Sequence, residues 1–412
     1  ELKNIISDLE NNTKSSKIAF EGNKYVATNF TRLSHAKKLT EIGEKLINLN
    51  LDTESEYARL GKERLVDIKK EQERTAIISN SLMNEDYNCL RDPKKNLPVR
   101  VDKNQIISQS GDCYEIILGI PRFVSASNYS DDFGFQWNKF NKTQLDSFSG
   151  LQLSEKHLFN CLGFSPSLLK GKLVLEAGSG AGRFTEILLK YKSIVHSFDY
   201  SLAVEANAMN NRNDKNLVLV QADIRNIPFQ KLSYDFVIGL GVLQHTPDPE
   251  ESIRSLWSMV KPGGQLIIDH YRFRWRTFLP PPFGQALGIY RRIILNIPIA
   301  SRFKVVKRLV DFWFPIHWKY RKSFFLTRVL RRLSPVIFHY HYLSLKDKEM
   351  YYQWALLDTH DSTTDYYRHL RSQHQIAACL RDIGATDIVV TEGGNNGIEA
   401  RYGIEARCRK SL

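Results

Sequence analysis

The 412-residue chain predicts an α/β fold in which helices cover both faces of a mostly parallel sheet. Three observations carry the prediction. The apolar run Leu173 to Leu175 has strand length, stops at Glu176 and gives way to Gly178, Gly180 and Gly182. Two further runs, Ser193 to Asp199 and Leu217 to Asp223, each end in a carboxylate. A fourth, Tyr234 to Gly239, is followed by a sharp Gly-rich turn and a helical segment, which is the alternation of a parallel sheet.

The first of these elements reads as strand, tight turn and helix, the helix running from Phe184 to Lys190. Glycines at this spacing permit positive φ and let a ligand approach the main chain closely, while the helix points its first N–H groups at that ligand. Such a loop is a nucleotide cradle. Its spacing is Gly-x-Gly-x-Gly, one residue short of the dinucleotide fingerprint Gly-x-Gly-x-x-Gly. The acid at Asp199 stands about 20 residues beyond the loop, where folds of this type hold ribose hydroxyls. Because Ser201 and a helical segment follow it, Asp199 can alternatively serve as a helix N-cap.

After Gly239 come Gly241-Val-Leu-Gln-His-Thr-Pro247, a helix, and Lys261-Pro-Gly-Gly264 leading into a strand from Gln265 to Asp269. Taken together, these residues resemble the class I S-adenosylmethionine-dependent methyltransferases. The resemblance runs from about Gly171 to Tyr271 and resumes near the C-terminus. It implies a Rossmann-like seven-stranded sheet, S-adenosylmethionine as cofactor, and a named set of contacts. Glu176 with Gly178 and Gly180 would lie by the methionine part, Asp199 would take the ribose hydroxyls, and Asp223 with Ile224 would take the adenine. Gly182, Tyr200 and Gly241 complete that set.

Composition narrows the class further. The apolar fraction of 42% suits a folded chain of two or three domains. The longest apolar stretches, such as Ile293 to Ala300, are broken by Asn296 and Pro298 and fall short of the roughly 20 residues a spanning helix needs. An integral membrane protein is therefore not expected. No signal peptide is evident, Glu1 is not a native start, and five scattered cysteines point to reduced thiols in a cytoplasm. The net charge of +13 is concentrated: residues 271–345 hold 15 Lys or Arg against the single acid Asp311.

Residues 1–85 are polar and lysine-rich, with Leu39, Ile42, Leu46 and Ile47 at helical spacing, and predict a helical extension broken near Asn48 to Asp52. It would serve as an oligomerisation or partner-binding arm, or simply as a solvated one. Residues 86–126 bring prolines and short alternating runs at Leu97 to Val101, Gln105 to Ile107 and Tyr114 to Leu118. The run Tyr114 to Val124 resembles the end of the zinc-ribbon-like domain that precedes many bacterial methyltransferases. Only Cys89 and Cys113 remain of the two Cys-x-x-Cys pairs, so no metal site is expected.

Residues 127–271 would form the first part of the core, opened by Asp131 to Phe140. By resemblance to a Phe-Gly-x-Gln-Trp stretch, Gln136, Trp137 and Gln144 would line the methionine end; alternatively the aromatics plug a domain junction. Residues 272–345 predict a basic helical insertion with two amphipathic patterns. Phe303, Val306, Val310 and Trp313 oppose Lys304, Lys307, Arg308 and Asp311; Phe325, Val329 and Leu333 oppose Arg321, Arg328, Arg331 and Arg332. Two uses fit: a lid over the pocket, and a basic surface for an anionic membrane or lipid-linked substrate. Residues 346–412 return to the core through a helix from Gln373 to Ile383, capped by Gly384, and strands at Asp387 to Val390 and Ala400 to Arg407.

If the acceptor is a hydroxyl, a histidine is the natural base. His245 and His270 follow strands at the sheet edge where ligands bind, and His360 lies with Asp358 and Asp361 in a segment that resembles polysaccharide-associated bacterial methyltransferases. His339 and His341 are further candidates. The expected function is methyl transfer to a hydroxyl or carboxyl of a saccharide, lipid-linked glycan or related small acceptor, in the cytoplasm or at the inner membrane face. A tRNA or protein methyltransferase, or a cofactor-binding scaffold, is the alternative. Nucleic acid is disfavoured because the loop after the fourth strand lacks the Asn/Asp-Pro-Pro-Tyr run of base methylases.

Overall fold

The computed structural model describes residues 87–412 except 103–104, 126–127, 276–278, 280–282, 342 and 394–402. The expected helical extension over 1–85 lies outside the described residues.

Four short strands come first: β1 (Val99–Asp102), β2 (Gln105–Ser108), β3 (Cys113–Ile117) and β4 (Ile120–Pro121), paired antiparallel in sequence order. Their alternating runs are too short to bury a core alone. Ile106 and Phe123 instead join Leu90 and Phe229 in the principal core, and Arg122 bridges the main sheet at Gln221. Three helices follow, α1 (Asp131–Lys139), α2 (Asp146–Ser149) and α3 (Leu153–Leu162).

The core then alternates: β5 (Leu173–Ala177), α4 (Arg183–Lys190), β6 (Ile194–Asp199), α5 (Ala203–Asn211), β7 (Leu217–Gln221), β8 (Tyr234–Gly239), α6 (Pro249–Met259) and β9 (Val260–Tyr271). β5 pairs in parallel with both β6 and β8, so chain order reverses at β5. A crevice must open above its carboxyl end. β5 is buried on both faces beyond its first residue, as an unbroken apolar run demands.

The insertion supplies α7 (Leu287–Leu295), α8 (Ile299–Tyr320) and α9 (Phe324–Leu333). The first predicted amphipathic stripe packs inward: Val306, Val310 and Phe314 of α8 meet Ala355, Leu356 and Leu357 of α10 (Lys348–Thr364). The second does not. Phe325, Val329 and Leu333 of α9 stay exposed, while Arg328, Arg331 and Arg332 line the cavity above the sheet.

The chain closes with α11 (Gln373–Asp382), whose Ser372 and Gln375 form a complete capping box, and with β10 (Thr386–Glu392) and β11 (Gly403–Arg409). β11 pairs antiparallel with β9 and with β10, completing a seven-stranded sheet in the order β10-β11-β9-β8-β5-β6-β7. Among the described residues no helix is long and apolar enough to cross a membrane.

Candidate active site

A cavity of about 1640 Å³ opens over the carboxyl ends of β5, β6, β8 and β9. Its floor is the glycine loop. Gly178, Gly180 and Gly182 all hold positive φ, at 70°, 54° and 87°. Their purposes differ. A Cβ on Gly178 would stand 2.5 Å from Val242, and one on Gly180 would touch the Trp137 ring at 3.4 Å. A Cβ on Gly182 would collide with Asn207 Oδ1 at 2.2 Å and Asn211 Nδ2 at 2.3 Å. Gly182 therefore lets α4 and α5 pack and does not line the cavity, contrary to its expected place among the cofactor contacts.

The loop amides also depart from expectation. Gly178 N and Ser179 N donate to Phe198 O, Gly180 N donates to Asp199 Oδ2 at 2.8 Å, and Gly182 N donates to Ser179 O. These donors are consumed in fastening the loop to β6. What the loop offers a ligand is close approach to its backbone, together with Ser179 Oγ, which lines the cavity, is buried and has no partner among the described residues.

Glu176 needs a similar correction. Its Oε2 accepts from Thr185 Oγ1 at 2.5 Å and Ser197 Oγ at 2.8 Å, beneath the loop and outside the cavity. Burial pushes its carboxyl up to about 7 against those hydrogen bonds. It braces the loop from below.

Asp199, Tyr200, Asp223, Ile224 and Gly241, expected among the cofactor contacts, all line the cavity. Asp199 is no N-cap, since α5 begins at Ala203; its Oδ1 accepts from Ser201 N and Oγ, closing a local turn. Asp223 is gripped by Arg225, with Nη2 to Oδ2 at 2.7 Å. Tyr200 stacks on Tyr129 with centroids 4.9 Å apart, and with Ile224 this makes an apolar, aromatic flank. Gly241 N donates to Asp269 Oδ1 at 2.6 Å, and a Cβ there would find only Arg183 Nη2 at 3.9 Å, so this turn faces open space.

Gln136 and Trp137 of α1 roof the same space. Gln136 is held at both ends: its Oε1 accepts from His360 Nδ1 at 2.8 Å and its Nε2 donates to Asp361 Oδ1 at 3.2 Å. Burial and the neighbouring Asp365 and Asp358 push Asp361 up to about 7.

The histidines sort by burial. His360 does not line the cavity; it lies among Phe135, Phe303 and Gln136 and holds Gln136, and burial drives it down to about 4. His245 and His270 line the cavity. Their Nδ1 atoms meet the carbonyls of Tyr367 at 3.2 Å and Tyr271 at 3.0 Å. A carbonyl only accepts, so Nδ1 carries the proton in each and Nε2 carries the lone pair. Burial drives His245 down to about 3 and lowers His270 as well, keeping both neutral.

The sequence reading undervalued one pair. His339 Nε2 is bound to Asp358 Oδ2, and both residues line the cavity. Asp358 Oδ1 accepts from Gln144 Nε2 at 3.2 Å, and Gln144 Oε1 accepts from Arg183 Nη1 at 3.1 Å. A polar chain therefore runs from the first residue of α4 to a histidine of the insertion. His369, unmentioned in the sequence reading, also lines the cavity. Only the aromatic and charged composition of these segments hinted at such contacts; their partners lie 19 to 214 residues apart. His157 and Glu405 also line the cavity, and behind them their ligand-type atoms and that of buried Cys161 come within 4.8 Å of one another; burial holds the Cys161 thiol up at about 11.

A topological switch point, a left-handed glycine loop, acids closing β6 and following β7, and orphaned buried oxygens on Ser179 and Gln244 fit a small adenosyl ligand. The fold and the site geometry are similar to those of class I S-adenosylmethionine-dependent methyltransferases.

Residues 175–268 match the family model described as a methyltransferase domain. The ubiquinone biosynthesis O-methyltransferase of Coxiella burnetii is 30% identical over 113 residues, covering 27% of this chain and 48% of the relative. The enzyme of the same name from Pseudomonas putida is 35% identical over 107 residues, covering 24% and 45%. The chain thus spans about half the length of these curated relatives. Among solved structures, Haemonchus contortus phosphoethanolamine N-methyltransferase 2 with S-adenosylhomocysteine aligns over 70% of this chain and 61% of its own at 13% identity and a TM-score of 0.40.

Proposed function

We propose that this protein transfers the methyl group of S-adenosylmethionine to a hydroxyl or carboxyl of an anionic acceptor of the saccharide or lipid-linked glycan class. The observation that carries the proposal is the continuity of the cofactor crevice with a chamber walled by arginines. A small-ligand pocket typically measures about 300–1,000 Å³; 1640 Å³ leaves room for a second molecule beside the first. Arg292 and Arg328, both exposed, line that remaining space and have no ion-pair partner among the described residues, so an anion entering it can reach them. The oxygen-directed activity in the names of the Coxiella and Pseudomonas relatives supports an oxygen acceptor.

The bound cofactor supplies an electrophilic methyl group, and the chain supplies alignment and proton transfer. The Trp137 ring packs beside Gly180 at the crevice, and Gln136 is fixed by His360 and Asp361 so that the roof keeps one orientation. His339 takes the proton of an acceptor hydroxyl at Nδ1, because Asp358 holds Nε2 and so fixes the ring and its tautomer. His245 stays neutral and accepts a hydrogen bond through Nε2, which orients the acceptor.

The test is methyl transfer from tritiated S-adenosylmethionine to fractionated lysate. Label should enter an acidic glycan or glycolipid fraction. Base-labile label would mark a carboxyl acceptor and base-stable label a hydroxyl. Persistent absence of label despite cofactor binding would favour a non-catalytic scaffold.

A further inference from the structure

The third insertion helix, α9, leaves an apolar strip exposed. In most surface helices the apolar face packs inward and the charged face meets water. In α9 the cations Arg328, Arg331 and Arg332 line the chamber, Arg328 itself exposed and the other two half-buried, while the apolar Phe325, Val329 and Leu333 are exposed beside them. Phe324 and Phe325 are 78% and 71% exposed, and Val329 and Leu333 continue from Phe325 at four-residue steps, forming one strip. Single exposed apolar side chains are ordinary, but a continuous strip along a helix marks a contact surface. Trp275 and Phe283, also exposed, line the same cavity.

Charge identifies the occupant. Residues 271–345 carry 15 basic side chains and one acid. A second copy of this chain would set like charge against like, whereas an anionic lipid surface attracts the cations and receives the apolar strip. We propose that α9 seats on an anionic bilayer with Phe325, Val329 and Leu333 in the interfacial region, so that the arginine-lined chamber opens beside the lipid headgroups. The arrangement gives an amphiphilic acceptor a route to the chamber without leaving the surface. That route rests on the methyl-transfer reading, but the seat itself does not and is measured without turnover.

The experiment is flotation of the full chain with vesicles of phosphatidylcholine alone and of phosphatidylcholine with phosphatidylglycerol. Wild type should float with the anionic vesicles only, less at high salt. F325D/V329D should lower recovery at least about tenfold, because two charges enter the apolar strip. F324S/F325S should lower it too. Unchanged calorimetric binding of S-adenosylhomocysteine shows that each variant is folded. Absence of wild-type flotation, or equal flotation of wild type and variants, overturns the proposal. A concentration-dependent dimer that the variants abolish, without flotation, overturns it in favour of a second copy. In either case intact cofactor binding and transfer would leave the proposed activity standing.

Discussion

Arg302 donates to Asp132 across 2.6 Å, joining the insertion helix α8 to α1, the helix that roofs the cofactor crevice. Both side chains are about nine-tenths buried, and burial pushes Asp132 up even though the Arg302 hydrogen bond opposes it. Removing one partner leaves a buried charge without compensation, which costs about 3–5 kcal/mol. R302A should lose stability of that order in urea unfolding and weaken S-adenosylhomocysteine binding by loosening α1. R302M/D132L should recover most of the stability. If R302A unfolds like wild type, the insertion is anchored elsewhere.

Glu176 gives the fold a pH dependence of known sign. Its folded carboxyl titrates at about 7, above the ordinary 4.5, so the unfolded chain releases its proton first as pH rises. Stability then falls between about pH 4.5 and 7, by about 3 kcal/mol in total from this group, and stays lower above it. E176Q, which has no such proton, should lose less stability than wild type between pH 5 and 8. Equal losses in the two proteins would show that Glu176 is ionised in the fold at ordinary pH.

The glycine loop predicts a separation of stability from binding. G182A must hold φ near 87° and displace Asn207 and Asn211, so it should cost about 1–3 kcal/mol of stability. W137A removes the ring beside Gly180 and should raise the dissociation constant of S-adenosylhomocysteine about tenfold, with unfolding little changed. Thermal unfolding and calorimetric titration on the same two variants decide the matter. A binding loss confined to G182A would return that residue to the cofactor site.

The proton-transfer assignment separates three histidines. H339A should lower kcat about 10²–10⁴-fold and remove one limb of the pH profile for a hydroxyl acceptor. D358N should lower kcat less. H360A, acting through Gln136, should raise KM for the cofactor while leaving the shape of the pH profile intact. A pH profile unchanged in H339A and altered in H245N would transfer the role to His245.

Much of the core was legible because its signals are local. Leu173 to Leu175, the three glycines and the acids Asp199 and Asp223 lie within one stretch of chain, and the predicted strands and helix differ from the observed ones by only a residue or two at their ends. The closing helix was legible from Gly384, which ends it in a left-handed conformation, while the Ser372–Gln375 capping box at its start is seen only in the structure. The site was less legible. Glu176 and Gly182 belong to the motif by spacing, yet one braces the loop and the other admits a helix. Nothing in their neighbours along the chain distinguishes bracing from lining.

The sequence by itself determined the α/β alternation, the crevice at the first central strand and the concentration of positive charge in one insertion, since periodicity, glycine spacing and charge are properties of neighbouring residues. The tertiary structure alone decided that His339 meets Asp358, that His360 is withdrawn from the cavity, and that the arginines of α9 line the cavity while its apolar strip stays exposed. Those outcomes depend on which faces of distant segments pack together, and an amphipathic pattern states that two faces differ without stating which one meets the protein.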